Sequence, residues 1–238
     1  MTVTLQDFRD YIDLTFPWFS DEDKAALEDN YSYDGDDQDT NHSAPRYMTD
    51  GTSGITAVNQ SNFGTGQQQR VFNVFAEYAF DCPSYWLASA YPQAWKYQFS
   101  APPSYHGFDL QALWSGTAVP GASFKHAFRK IWGSFIINDD PIISVADAQG
   151  GVTNSTVPVG VNGLIDWPAW DDENPVLLSL NATGGTPKYF NVTEYLKYYT
   201  YADPGVANSI KIANATSWEG GRGERCAWWL EMAPKVPY

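Results

Sequence analysis

The stretch "AWKYQFSAPPSYHGFDLQALW", residues 94–114, decides how the chain is read. Its first half alternates, with Trp95, Tyr97 and Phe99 on one face and polar residues between them, the period-two pattern of a strand with one aromatic side. Pro102 and Pro103 then stiffen the chain, and Gly107 admits a backbone angle that other residues avoid. Between them stands His106, one of only three histidines. An imidazole at the end of a strand has the ordinary pKa for taking and returning a proton near neutrality, provided a second group fixes its tautomer. Taken locally, the same residue also fits a solvent-facing loop.

Working outward, "LQDFRDYIDLTFPWF" places Leu5, Phe8, Tyr11 and Ile12 on one helical face, and Pro17 ends it. Ser20 is placed to cap a second helix whose first turn is acidic. Residues 34–69 are rich in Gly, Asp, Asn, Ser and Gln and read as an exposed loop, with a short helix expected over Thr56–Asn62. Val71, Val74, Phe75 and Tyr78 predict another helix, and a separate helical piece is expected after Pro83. Phe124, Ala127, Phe128, Ile131, Trp132 and Phe135 give a strong apolar stripe. "NPVLLSLN" and "NSIKIAN" read as short apolar runs, and "RCAWWLEM" as a short terminal helix. Strand, loop, helix and strand in succession imply an α/β layer architecture, with too few strands visible to close a sheet.

Composition removes several classes of function. A formal net charge of −14, with 14 Lys and Arg spread along 238 residues, disfavours nucleic acid as a partner. No apolar run approaches the roughly 20 residues of a membrane-spanning helix, and "MTVTLQDFRD" lacks the basic start and apolar core of a signal peptide. There is no G-x-S-x-G, no phosphate-cradling or dinucleotide glycine motif and no H-E-x-x-H. The histidines and two cysteines lack metal-ligand spacing, so neither metal nor cofactor is expected. The acidic run 34–39 reads as a solvated loop, His126 as a polar helix position and His42 as a loop residue.

N-x-S/T sequons recur at Asn30, Asn41, Asn59, Asn154, Asn181, Asn191 and Asn214, a density that points to an exported glycoprotein. Cys82 and Cys226 form an even pair, compatible with one long-range disulfide in an oxidising compartment or with two buried thiols.

With the quoted stretch, the segments "DLTFPWFSDED", "YAFDCPSYWLASAY", "FKHAFRKIWGSFIINDDPIIS", "DWPAW" and "TSWEGGRGERCAWW" give the chain a resemblance to the C-terminal portion of a fungal type-B carboxylesterase, the family that includes the cholinesterases and some secreted lipases. The resemblance runs over nearly all of residues 1–238. It implies part of an α/β-hydrolase fold, a partial central sheet with flanking helices, and a small-molecule carboxylic ester as substrate of the complete protein. His106 in "HGFDL" matches the family's triad histidine, Asp109 an acidic position that orients it, and Cys82 and Cys226 the family's C-terminal disulfide. The serine elbow and the triad acid then fall outside this sequence, on an N-terminal half in the same or a separate polypeptide, and the chain alone is expected to be inactive. Secretion of the complete protein agrees with the sequons. The alternative is a cholinesterase-like adhesion module that keeps the fold without the chemistry.

Overall fold

A computed structural model of the chain describes residues 4–32, 66–102, 104, 106–114, 120–191 and 197–237. Helix α1 (Leu5–Thr15) and helix α2 (Asp21–Asn30) both begin in capping boxes. Thr4 accepts from the Asp7 backbone N–H while the Asp7 carboxylate accepts from the Thr4 N–H, and Ser20 and Asp23 repeat the arrangement, which satisfies otherwise orphaned donors of each first turn. Phe8 and Ile12 are buried on the predicted face of α1. The expected helix over Thr56–Asn62, the acidic run 34–39, His42, Asn41 and Asn59 lie outside the described residues.

Helix α3 (Gly66–Ala76) and helix α4 (Cys82–Ala90) are continuous through a π-helical turn, Glu77–Asp81, so the break expected at Pro83 does not occur. Pro83 has no N–H to give to the preceding turn, and the helix passes it through the π turn, in which the Cys82 N–H bonds the Glu77 carbonyl five residues back.

Strand β1 (Tyr97–Phe99) runs parallel to β2 (Val176–Asn191), with Tyr97 opposite Leu178 and Phe99 opposite Leu180. Strand β3 (Lys197–Asn214) runs antiparallel to β2, giving the order β1-β2-β3 and a small mixed sheet. "NPVLLSLN" and "NSIKIAN" are therefore the paired ends of strands of 16 and 18 residues, much longer than their apolar runs. The remaining length mixes Gly, Thr, Tyr and Ala with Lys, Pro and Asp and is held by backbone pairing across a register shift at Gly184/Thr186.

The sheet is covered on both faces. Leu178, Leu180, Ala182, Val206 and Ile210 pack with helices α5 (Phe108–Trp114), α6 (Ala122–Asn138) and α7 (Val145–Gln149) in one core. Leu177 and Ala215 pack with α1–α4 and α8 (Trp218–Met232) in the other, as the alternation of strand side chains requires. α5 falls on the "FDLQALW" run for which no element was expected, and α8 extends the expected terminal helix back to Trp218. In α6 Phe124, Ala127, Phe128 and Ile131 are buried as the stripe predicts and Trp132 is half-buried, whereas Phe135, its last member, is exposed together with Ile136 and Ile137. Among the described residues the outer edge of β1 has no strand partner. A bridge between Thr156 and Ser209 lies alongside β3.

Cys82 and Cys226 are joined in a disulfide that ties the start of α4 to α8 across 144 residues. No helix of the described residues is long and apolar enough to cross a membrane.

Candidate functional site

β1 ends at Phe99, and the turn that follows carries His106 to the mouth of an open cavity of about 620 Å³. In open α/β sheets ligands sit beyond the carboxyl ends of parallel strands, which is where this turn lies. Gly107 has φ +79° with open space where a Cβ would be, so glycine is needed here for backbone angle alone. The His106 ring is exposed and packs against Phe80 of the π turn, with centroids 4.7 Å apart. Among the described residues no serine or carboxylate forms a hydrogen bond with it; Ser104 donates instead to the Ala101 carbonyl at 2.8 Å.

Asp109 does not orient His106 in this arrangement. Its carboxylate accepts from the Tyr97 hydroxyl at 3.0 Å and from the Leu110 N–H at 2.9 Å, because the first turn of α5 aims it back at the strand. Burial, reinforced by the Asp109 charge, pushes the Tyr97 phenol well above its ordinary value.

Alongside the π turn lies a group of charges in which Glu77, Lys96, Glu219, Arg222 and Arg225 are buried and Asp81 is partly exposed. Arg225 grips Glu77 twice, Arg222 contacts Glu219, and Arg222 reaches the Asp81 carboxylate at 3.3 Å. Glu77 also accepts from the Tyr31 hydroxyl at 2.7 Å. Lys96 completes the set: its side chain enters from the strand, Nζ donating to the Ser84 hydroxyl at 2.6 Å and lying 4.3 Å from the Tyr85 ring centroid. The three basic and three acidic groups balance. They still balance if a proton passes from Lys96 to Glu219, and burial favours that distribution. It raises Glu219 to about 8 and lowers Lys96 to about 7.

Lys96 and this cluster were not anticipated. Alternation with Trp95 and Tyr97 puts Lys96 on the polar side of a half-buried strand; helices α4 and α8 cover that side too. The usable signal is Gln98, two residues on and on the same face, whose side-chain carbonyl accepts from Arg222 at 2.9 Å. Two polar residues on one strand face and two arginines in "EGGRGERC" are complementary halves of one buried layer.

His126 bonds Asp147 at 3.2 Å between exposed helix surfaces, away from the cavity wall. Of the sequon asparagines, Asn154 and Asn214 are exposed and Asn30 is half-buried. Asn181 is buried in β2, its side-chain carbonyl accepting from the Ala182 N–H, so the folded chain has no room for a glycan there and that expectation is corrected. Asn191 lies at the end of β2. Among the described residues no three metal-ligating side chains converge. No family model, curated protein or solved structure matches the chain.

Proposed function

We propose that the chain is the C-terminal portion of a secreted type-B carboxylesterase and that His106 is its proton-transfer residue. The observation that carries this reading is the position of His106, on a glycine-dependent turn beyond the carboxyl end of a parallel strand and on the rim of a large cavity. The sequence segments that resemble the family, in the family's order, support it. So do the Cys82–Cys226 bond, the open edge of β1 and the exposed apolar side chains Trp114, Ile136 and Ile137, which suit a surface made to be covered by further sheet and helix.

In that protein the His106 imidazole takes the proton from a serine hydroxyl as it attacks the ester carbonyl, and returns it to the departing alcohol. The serine, the oxyanion donors and the acid that orients His106 come from the N-terminal half. No cofactor is required by this chemistry. Disulfide and sequons favour an extracellular setting.

The test joins the chain to the coding segment upstream of Met1. An in-frame segment with a G-x-S-x-G turn should yield hydrolysis of p-nitrophenyl butyrate, with kcat about 10⁴- to 10⁶-fold lower in H106A. Full activity in H106A, or a stoichiometric organophosphate adduct on the 238-residue chain by itself, refutes the reading.

A further inference from the structure

Lys96 is only 7% exposed, yet among the described residues no carboxylate oxygen lies within 4.0 Å of its nitrogen. A buried ammonium without a close counter-ion is costly, and a lysine in that position sheds its proton. The groups around it are Ser84 and Tyr85 on α4, Asp81 on the π turn and Arg222 on α8, with Glu77 and Glu219 behind Arg222. Burial is the dominant influence, Asp81 opposes it and Arg222 reinforces it, leaving the amine at about 7. Lys96 and Ser84 both line the cavity that His106, Tyr97 and Asp109 also line. An amine about half neutral at pH 7, a hydroxyl in contact with it and a cavity beside it suit nucleophilic amine chemistry.

We propose that Lys96 is a reactive amine that captures aldehydes entering this cavity as imines. The Nζ lone pair attacks the carbonyl carbon, forming the C–N bond, and the carbonyl oxygen takes a proton through the Ser84 hydroxyl to give a carbinolamine. Nζ then releases its remaining proton to the same oxygen, the C–O bond breaks, and one water leaves as the C=N bond closes. Nothing is oxidised or reduced. The rim formed by Phe80, Leu87 and Tyr91 favours aldehydes with a short apolar tail. The inference is independent of ester hydrolysis, since it uses neither His106 nor any residue outside the chain.

The experiment treats the full chain with butanal and sodium cyanoborohydride, which reduces the imine to a stable alkyl-lysine, and follows each lysine by peptide mass spectrometry. At pH 7 a neutral-amine fraction near one half exceeds that of an ordinary lysine by about 10³-fold, and slower entry still leaves Lys96 at least about tenfold faster than exposed Lys130. The Lys96 rate should level off above pH 8. S84A, folded by its circular-dichroism melt, should slow capture about tenfold, a typical proton-relay factor. Labelling of Lys96 no faster than Lys130, or only after denaturation, overturns the proposal; an unchanged rate in S84A overturns the relay.

Discussion

Arg225 holds Glu77 through two hydrogen bonds, Nη2 to Oε1 at 2.6 Å and Nε to Oε2 at 2.8 Å, and so fastens α8 to the π turn between α3 and α4. Both side chains are interior, and Oε2 accepts in addition from Tyr31, whose hydroxyl takes the Trp229 indole N–H at 2.6 Å. A buried pair of this kind adds little over a well-packed apolar pair, but either partner left alone is a buried, uncompensated charge.

E77Q should therefore lose about 3–5 kcal/mol in urea unfolding at pH 7, and R225M a similar amount. The double variant E77Q/R225M should lose clearly less than the sum of the two. Additive losses would mean that the two side chains act separately.

The disulfide closes a loop with a sequence separation of 144, for which loop-closure entropy gives about 5 kcal/mol of stabilisation at most. Replacing Cys82 and Cys226 together by alanine should lower the unfolding midpoint and steepen the unfolding slope, because the denatured chain expands once the cross-link is gone. Dithiothreitol should bring the wild-type chain to the midpoint of the double variant. A reductant-insensitive wild type would show that the thiols are not joined in solution.

How far the sequence was legible follows from where each signal lies. Local signals succeeded: Ser20 caps its helix, the period of Phe8 and Ile12 marks a buried face, and Gly107 takes the left-handed angle expected of it. Ser20 and the acidic first turn were read directly. Non-local determinants were not legible. The polar half of β2 is a strand only because β3 pairs with it, and no side-chain pattern announces that pairing. Lys96 looks solvent-facing until α8, more than a hundred residues later, covers it. Asp109 is drawn to Tyr97 by the packing of α5 on β1, which residue spacing cannot reveal.

His106 offers a separation of structure from chemistry. Its ring is exposed and its one described ring contact is with the tilted ring of Phe80, so H106A should change stability by no more than about 0.5 kcal/mol. The measurement is a thermal melt of the isolated chain. A loss of several kcal/mol would assign His106 to the packing of the π turn and remove the ground for a proton-transfer role.

Lys96 and Glu219 give the chain a pH dependence of stability with opposite slopes in two windows. For Lys96 the folded value of about 7 lies below the ordinary 10.5, so between these pH values the unfolded chain binds a proton that the folded chain does not. Stability then rises with pH across that window, approaching about 1.4 kcal/mol per unit, and K96M removes the rise. For Glu219 the folded value of about 8 lies above the ordinary 4.5, so between these the folded chain holds the extra proton and stability falls as pH rises. E219Q, which keeps a neutral side chain of the same shape, removes that fall. The two contributions oppose each other between about 7 and 8, which places a shallow minimum there rather than at the isoelectric point near 4.4. Urea midpoints at half-unit intervals from pH 5 to 10 for the wild type and both variants make the comparison. A K96M profile parallel to wild type above pH 7 would show that Lys96 keeps its proton in the fold, and with it would go the electroneutral exchange between Lys96 and Glu219.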